Sequence, residues 1–464
     1  MTGRYALLLD FGSTYTKVTA VDRQARRTVF TGRTPSTVAT DARVGLTRCL
    51  EMVRTAIGAE ELDRAAKLAS SSAAGGLRMG VVGLSRTLSA QAARTAAFGA
   101  GGKLLAAFAG RLTPTEVAAL EAQPLEILLL CGGYEGGGTS AVLHNAGMLA
   151  RSALRCPVIY GGNSAAGEEV RRLLAREGRE CWITGNLIPA VGQLRTGPAE
   201  AIIREVFLRR IINMKGLDKV SGLLDRVVMP TPAAVLAGAE LLSRGTAETP
   251  GLGEFLLIDV GGATTDVYSC GDPPPFEGAK PVGTPEPYAK RTVEGDLGLR
   301  ESAPSLCREI GPDRMARETG LTGEDLQAVL DRWTGNHEAL AETGAERAAD
   351  RALTEGAVRL SVRRHAGRVE VVSSAGVRAV QRGKNLTGVT TVIGTGGPLL
   401  FGSGGRAALR QALSQPEDPP EVLLPRRADL RLDRDYVFYA AGLLREIDPE
   451  AALAVLYASI GKEA

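Results

Sequence analysis

This 464-residue chain has few of the residues that build disulfide-linked or metal-centred proteins. Its six cysteines form no C-x-x-C pair, so neither a zinc site nor a disulfide framework is expected in a chain of this length. The three histidines lie far apart in the sequence and predict no metal cluster. These shortages favour a reducing environment, and we expect a cytoplasmic protein.

Aromatic residues and long apolar runs are also scarce. Aromatics make up 4% of the sequence and accompany no basic stripe, which gives nucleic-acid binding little support. No apolar run approaches the roughly 20 residues that a membrane-spanning helix needs, and the N-terminus shows no charged-then-apolar signal region. With a net charge of only +3, the composition is that of a globular protein, and neither nucleic acid nor membrane is expected as a partner.

The length exceeds what one compact core normally holds, so two or more domains are expected. Strand and helix patterns alternate between about 65 and 180, which predicts a parallel sheet with helices on its faces. The segment 303–365 is rich in Ala, Arg and Glu and predicts helices.

One device occurs twice, about 250 residues apart. The segments "YALLLDFGSTYTKVTAVD" (5–22) and "FLLIDVGGATTDVYS" (255–269) each place an apolar strand before an Asp, small residues and hydroxyls. Turns of this composition expose backbone N–H groups that cradle phosphate oxygens. A carboxylate there would repel phosphate unless it held hydrated Mg²⁺, which favours carboxylates, water and phosphate oxygens. Two such turns facing each other would clamp a triphosphate for in-line phosphoryl transfer.

A third element, "VIGTGGPLL" (392–400), contains three glycines, so a flat base or ribose can lie against its backbone. A different segment, "AFGAGGKL", ends in Gly-Lys but is not a P-loop. The Walker pattern requires Gly where Ala97 stands and Ser or Thr where Leu104 stands.

In this order the segments resemble the motifs of the actin/hexokinase/heat-shock-chaperone ATPase superfamily. Its first phosphate, second phosphate and adenosine motifs are similar to "LLLDFGSTYT", "LLIDVGGATTDV" and "VIGTGGP". Its two connecting segments resemble "VVMPTPAAVLAGAELL" and "YVFYAAGLL". A closer resemblance, to the MutL/GlmL family of accessory proteins encoded beside glutamate mutase, is carried by "SSSAAGGLRMGVVGL", "LLLCGGYEGGG", "VIYGGN" and "RTVEGDLGLR".

The resemblance implies an α/β fold of the actin-like (ribonuclease H-like) class, with two lobes and an inserted parallel α/β domain. The expected division is 1–64 with 181–245 for the first lobe, 65–180 for the insertion, 246–302 with 366–464 for the second lobe, and 303–365 for a helical subdomain.

The resemblance also implies roles for individual residues. Asp10 and Asp259 would hold Mg²⁺ through water, and Asp266 would help to order the attacking water. The positions expected to bind ATP are Gly12, Ser13, Thr14, Lys17, Gly261, Gly262, Thr264, Thr265, Gly394, Thr395, Gly396 and Gly397. The turn with Glu294 and Asp296 would serve either the nucleotide pocket or the fold. No general base is identified, because Met229 and Pro230 stand where the chaperones carry acidic or polar residues.

The implied function is that of a chaperone-like protein, dependent on ATP and Mg²⁺, that reactivates or protects an adenosylcobalamin-dependent mutase, with the mutase subunits as partners. Three alternatives stay open: a small-molecule kinase of the same fold, an activator of 2-hydroxyacyl-CoA dehydratases, and an actin-like filament protein. A kinase needs a substrate pocket with a base, which residues 22–250 do not suggest. The activator needs cysteines for a shared iron–sulfur cluster, whereas the cysteines here are scattered.

Overall fold

The structure is a computed structural model that describes residues 3–12, 14–37, 40–72, 77–214, 223–373 and 377–461. The strands in these ranges are β1 Tyr5–Phe11, β2 Tyr15–Asp22, β3 Arg27–Pro35, β4 Ala66–Ser71, β5 Leu77–Gly83, β6 Gly102–Ala109, β7 Ile127–Leu130, β8 Val158–Tyr160, β9 Cys181–Ile183, β10 Arg226–Pro230, β11 Phe255–Val260, β12 Thr265–Cys270, β13 Ala279–Pro281, β14 Ala289–Glu294, β15 Arg368–Ser373, β16 Val377–Arg382, β17 Thr391–Thr395 and β18 Asp429–Leu432.

The helices in the same ranges are α1 Ala42–Ile57, α2 Ala59–Arg64, α3 Ser89–Gly99, α4 Pro114–Glu121, α5 Ser140–Arg151, α6 Gly167–Arg176, α7 Gly197–Met214, α8 Thr231–Arg244, α9 Ala303–Ile310, α10 Pro312–Thr319, α11 Gly323–Gly335, α12 Gly344–His365, α13 Gly397–Phe401, α14 Gly405–Ala408, α15 Phe438–Leu444 and α16 Pro449–Gly461. The chain divides into two compact units, the first made of Met1–Val235 with Gly283–Pro287 and the second of Leu236–Val282 with Tyr288–Ala464.

The first unit contains a five-stranded mixed sheet of order β10-β4-β1-β2-β3. Strand β1 is antiparallel to β2 and parallel to β4, and β4 is parallel to β10. The leucines at positions 7, 8 and 9 of β1 are completely buried. A continuous apolar run is what a central strand covered on both faces requires.

The first unit also contains the insertion, a sheet of order β6-β5-β7-β8-β9 in which every neighbouring pair is parallel. Leu9 of β1 belongs to the same hydrophobic cluster as Met79 and Ile127 of the inserted sheet. The insertion therefore shares a core with the first sheet, and its other face packs on a separate cluster that includes Leu130 and Val142.

Both ends of the insertion differ from the boundaries expected from the sequence. Residues 66–71 were expected inside the insertion, whereas they form β4, the parallel neighbour of β1 in the first sheet. At the other end, β9 pairs with β8 and completes the inserted sheet, although the first lobe was expected to resume at 181. An apolar strand does not reveal from its own sequence which sheet it joins, because the pairing is decided by distant segments.

The second unit repeats the plan of the first sheet, in the order β14-β12-β11-β17-β18. Here β11 is antiparallel to β12 and parallel to β17, and β17 is parallel to β18. The segment 303–365 forms α9 to α12, which pack on this sheet, and β13, β16 and β15 form a smaller sheet. The predicted fold class, actin-like (ribonuclease H-like) α/β with an inserted parallel α/β region, is confirmed.

Within the described part of the chain, every helix is too short or too polar to cross a membrane.

Candidate functional site

The first candidate phosphate turn joins β1 to β2. The N–H of Gly12 donates to the carbonyl of Tyr15 at 3.0 Å, and a Cβ on Gly12 would lie 2.5 Å from that oxygen. Ser36 braces the turn, because its N–H donates to the carbonyl of Thr14 at 2.8 Å and its hydroxyl to the carbonyl of Gly12 at 2.7 Å. The turn therefore has a fixed backbone that depends on glycine, while Ser13 lies outside the described residues.

Asp10 lies one residue before the end of β1 and is almost completely buried, with 1% of its surface exposed. The hydroxyl of Thr231 donates to Asp10 Oδ1 at 2.5 Å and also lies 3.3 Å from the hydroxyl of Ser70. The ammonium of Lys17, which is directly opposite Asp10 in the hairpin, donates to Oδ2 at 3.3 Å. Both carboxylate oxygens thus have a donor, one uncharged and one cationic.

Thr231 is a candidate site residue that the sequence reasoning missed. Strands β1, β4 and β10 are parallel neighbours, so their carboxyl ends meet at one edge of the sheet, where open α/β sheets bind ligands. Strand β10 passes into its helix without a turn, because α8 begins at Thr231 directly after Pro230. Pro232 is compatible with this start because the first N–H groups of a helix have no partner in the helix.

The second candidate phosphate turn joins β11 to β12. The N–H of Gly261 donates to the carbonyl of Thr264 at 2.9 Å, which repeats the closure of the first turn. The "EGDLGLR" segment packs directly behind it, and the N–H of Arg300 donates to the carbonyl of Gly262 at 2.8 Å. A Cβ on Gly298 would lie 2.5 Å from that same carbonyl oxygen, so this close support requires glycine.

Asp266 lies directly opposite Asp259 in this hairpin. It accepts from Arg291 Nε at 2.8 Å and from the hydroxyl of Thr264 at 3.1 Å. The Asp266 and Arg291 side chains are only 10% and 2% exposed, so they form a buried ion pair. Asp259 is only partly buried, whereas Asp10 is buried, so Asp259 is the more accessible of the two motif aspartates.

The segment after β14 packs against the second turn and stabilises it. The hydroxyl of Thr265 is buried and donates to the carbonyl of Leu297 at 2.7 Å. Arg364 donates to Glu294 at 2.8 Å and to Asp296 at 2.9 Å. Burial raises the pKa of Glu294, while the contact with Arg364 acts in the opposite direction. In this arrangement, Glu294 and Asp296 contribute to the fold around the turn.

The adenosine motif lies beside the second turn because β17 pairs with β11 and places Thr395 next to Asp259. Gly396 has a φ of 97°, a conformation that favours glycine. A Cβ there would overlap the carbonyl oxygen of Val260 and lie 2.7 Å from Asp259 Oδ1. Gly396 therefore lets the motif approach the carboxylate closely.

The other two glycines of the motif differ in their surroundings. A Cβ on Gly394 would lie 2.9 Å from Leu409 and 3.1 Å from Leu399, so this glycine faces the hydrophobic core. A Cβ on Gly397 would meet no atom within 4 Å. Only the backbone at Gly397 has the free space that a ribose or base would need.

Asp433, another residue that the sequence reasoning missed, holds the candidate adenosine motif in place through Thr395. It is completely buried after β18 and accepts from the hydroxyls of Thr395 at 2.9 Å and Ser459 at 2.6 Å, and from the N–H of Val437 at 2.9 Å. Burial raises the pKa of Asp433, and these hydrogen bonds act in the opposite direction. Asp433 thereby ties the end of β18 to the backbone at the start of α15.

The donor set fits Mg²⁺ better than a transition metal. The residues described contain no group of three or more His, Cys, Asp or Glu placed to hold a metal. Mg²⁺ keeps several waters and is commonly bound by one or two carboxylates with phosphate oxygens. Burial raises the pKa of Cys49, Cys131 and Cys270 to about 12, so these thiols are poor thiolate ligands at neutral pH.

Two sheets of one topology, each with a central strand whose penultimate residue is an aspartate and which runs into a glycine turn, define an actin-like fold. The MutL protein family model matches residues 6–460. Protein MutL of Clostridium tetanomorphum is 36% identical over 452 residues, which cover 97% of this chain and 98% of that protein. The chain belongs to the MutL protein family, and the resemblance noted from its sequence is confirmed.

Solved structures give only distant similarity. The ethanolamine utilization protein EutJ from Carboxydothermus hydrogenoformans is 12% identical with a TM-score of 0.27, over 98% of this chain and 91% of that one. The xylulose kinase from Bifidobacterium adolescentis is 12% identical with a TM-score of 0.33, over 98% and 93%. TM-scores this low establish neither a shared site nor a shared activity.

Proposed function

We propose that this protein binds and slowly hydrolyses Mg-ATP, and that it acts as a chaperone-like accessory protein that reactivates or protects an adenosylcobalamin-dependent mutase of the glutamate mutase type. The observation that carries the proposal is the duplicated central strand with an aspartate near its end and a glycine turn after it, present in two sheets of equal topology. Membership of the MutL family supports the mutase as the partner.

In the first turn, phosphate oxygens would accept from the backbone N–H groups around Gly12 and from Lys17. The Lys17 side chain is 22% exposed and lies 3.3 Å from Asp10 Oδ2, so its ammonium can exchange the carboxylate for a phosphate. Asp10 Oδ2 would then accept from a water of the magnesium shell. The metal, when bound, neutralises charge on the phosphates.

In the second turn, the N–H of Gly261 closes the turn on the carbonyl of Thr264, so the N–H of Gly262 would bind phosphate oxygens, and Asp259 would hold a magnesium-bound water. Asp266 would order the attacking water, with Arg291 and Thr264 keeping its carboxylate in one orientation. The open backbone at Gly397 would lie against the ribose or base.

We place the mutase contact on the insertion, at the carboxyl edge of its parallel sheet, where open sheets bind their ligands. Glu135 lies in the glycine-rich loop after β7 and accepts from the N–H of Ser164, at 3.2 Å, and from the side chain of Asn186, at 2.7 Å. These bonds join the loops after β7, β8 and β9 into one polar surface.

Calorimetry with Mg-ATP and a mutase reactivation assay test the two halves of the proposal separately. The wild-type protein should bind Mg-ATP, and the Asp10→Ala and Asp259→Ala variants should not. With ATP present, it should restore turnover to a glutamate mutase whose cobalamin has been inactivated. No binding of Mg-ATP would exclude the nucleotide site, whereas hydrolysis without any effect on the mutase would exclude the accessory role.

The same purified protein can be used to distinguish the alternative functions, a kinase and a filament protein. Phosphorylation of an added small molecule would identify a kinase, and a rise in light scattering with ATP would identify a filament protein. ATP hydrolysis that responds to the mutase, with neither of those signals, supports the accessory role.

A further inference from the structure

Thr231 lies where β10 ends and α8 begins, beside the buried carboxylate of Asp10. We infer that Thr231 is a positioning residue that orients Asp10 towards the magnesium of the bound nucleotide, an inference that rests on the proposed function. The Thr231 hydroxyl donates a 2.5 Å hydrogen bond to Asp10 Oδ1.

The two oxygens of Asp10 face different surroundings. Oδ1 accepts from Thr231 at the edge of the sheet. Oδ2 lies 3.3 Å from the Lys17 ammonium and 3.7 Å from the position that a Cβ on Gly12 would take, so it faces the phosphate turn. The bond to Oδ1 prevents rotation of the carboxylate and thereby keeps Oδ2 on the side of the turn.

The backbone holds Thr231 in place from both directions. Strand β10 is paired with β4, and β4 with β1, so Thr231 follows directly after a strand of the sheet that carries Asp10. Gly101, with a φ of 90°, packs against the start of α8. A Cβ on Gly101 would lie 2.8 Å from Pro230 and 3.2 Å from the nitrogen of Ala233, which shows how closely this junction is packed.

An uncharged donor suits this role better than a cation. A hydroxyl can fix one oxygen of Asp10 and leave the negative charge available to a metal-bound water. A permanent lysine or arginine contact at the same oxygen would compete with Mg²⁺ for that charge. The exposed part of Lys17 allows its contact to be exchanged, whereas Thr231 is held by the fold.

The test compares variants of the full-length protein that keep or lose the hydroxyl. Thr231→Val replaces the hydroxyl by a methyl of similar size, and Thr231→Ala removes it without crowding. Thr231→Ser keeps the hydroxyl, and Ser70→Ala is the matched control because it leaves the bond between Thr231 and Asp10 intact. Calorimetry of ATP with and without Mg²⁺ and electron paramagnetic resonance of bound Mn²⁺ give readouts that do not depend on turnover.

Thr231→Val and Thr231→Ala should weaken binding of the metal by about ten-fold or more, as loss of a residue that orients a metal ligand generally does. Binding of metal-free ATP should be unchanged, and Thr231→Ser and Ser70→Ala should stay within about three-fold of the wild type on the same grounds. A merely structural role would shift thermal unfolding but not the difference between metal-bound and metal-free ATP.

The inference is overturned if a folded Thr231→Val or Thr231→Ala variant binds Mn²⁺ as the wild type does. It is also overturned if Thr231→Ser loses as much metal affinity as the hydroxyl-free variants, because packing of the methyl would then be the cause. Failure of the wild type to bind Mg-ATP would instead refute the proposed function.

Discussion

The first and second mixed sheets have the same strand order and directions, but they surround their motif carboxylates with different charges. Asp10 is paired across its hairpin with Lys17, whereas Asp259 is paired with a second carboxylate, Asp266. The charge of Asp266 is balanced by Arg291 on the next strand. The backbone plan is therefore shared, while the side chains opposite the two carboxylates are not.

This difference gives the two turns different chemical abilities. The first turn has a partly exposed ammonium, from Lys17, that under the proposed function would contact phosphate directly. The second turn has two neighbouring carboxylates, and its cation, Arg291, is buried. We therefore expect the second turn to depend on backbone N–H groups and bound Mg²⁺ for its attraction to phosphate.

The largest effect is expected from removing either motif carboxylate. Asp10→Ala and Asp259→Ala should each lower the rate of ATP hydrolysis by at least about 100-fold, because a metal-held phosphate loses several kcal/mol of transition-state stabilisation. Release of phosphate under single-turnover conditions measures the loss. A rate equal to the parent's in both variants would show that the two-turn interpretation is wrong.

The next largest effect is a difference in folding stability between breaking the buried Arg291–Asp266 ion pair and breaking the more exposed Lys17–Asp10 pair. Arg291→Met should lower the free energy of unfolding by about 3–5 kcal/mol, because it leaves the buried charge of Asp266 without its partner. Lys17→Met in the first turn should cost less than that, because the Lys17 side chain is 22% exposed and the Thr231 hydroxyl still donates to Asp10, whose own side chain is only 2% exposed. Urea denaturation measures both values.

The double variant Arg291→Met/Asp266→Asn is the control for that experiment. It removes both charges, so it should recover part of the stability lost in the single variant. Equal losses for Arg291→Met and Lys17→Met would remove the contrast between the two hairpins.

Two adjacent glycines of the adenosine motif allow an effect on stability to be distinguished from an effect on ATP binding. Gly396→Ala should destabilise the fold by about 1–3 kcal/mol from its backbone conformation alone, apart from the overlap with Val260. Gly397→Ala should leave stability unchanged, because its side chain would enter free space. Weaker ATP binding by a stable Gly397→Ala variant would place the nucleotide against this backbone, and unaltered binding would not.

The smallest effect is a pH dependence of folding stability in the second unit. His365, the last residue of α12, lies 2.8 Å from the hydroxyls of both Ser269 and Thr292. Burial, and then Lys290 and Lys384, lower the pKa of His365 well below its ordinary value. Below about pH 6.5 the unfolded histidine binds a proton that the folded one does not, so stability falls with pH by up to about 1.4 kcal/mol per unit.

Hydrogen exchange resolved along the chain measures this loss at pH 6.5 and 5. The loss should appear in the second unit and should vanish in His365→Gln, while His337→Gln, at an exposed position, should behave as the wild type. In the first unit, the hydrogen bond from Arg4 lowers the pKa of Asp22. That contribution is lost only as the pH falls below about 3.9, so it does not obscure the comparison. Persistence of the acid response in His365→Gln would contradict the assignment to His365.

The motif positions were predictable because each is defined by a short local pattern. The strand before Asp10 is an apolar run, and the turn after it is marked by Gly12, so both follow from neighbouring residues. The partners of Asp10 were not predictable. Thr231 lies 221 positions away and reaches Asp10 only because three parallel strands end together.

The glycines of the adenosine motif show the same limit. From the sequence, the same nucleotide-binding role was expected for all three glycines. In the structure, Gly394 faces the core, Gly396 lies against Asp259, and of the three only Gly397 borders free space. The space around a missing side chain depends on what packs there, and those neighbours come from distant segments.

The sequence by itself determined the two Asp-Gly turns, their order with the adenosine motif, and the alternation that builds a parallel sheet within the insertion. Local composition is sufficient for these features, because strand, turn and helix preferences act over a few residues. Only the tertiary structure decided that β4 joins the first sheet, that Thr231 binds Asp10 and that Arg291 neutralises Asp266. Each of these contacts depends on strand pairing between distant segments, and that pairing is selected by burial of the whole sheet.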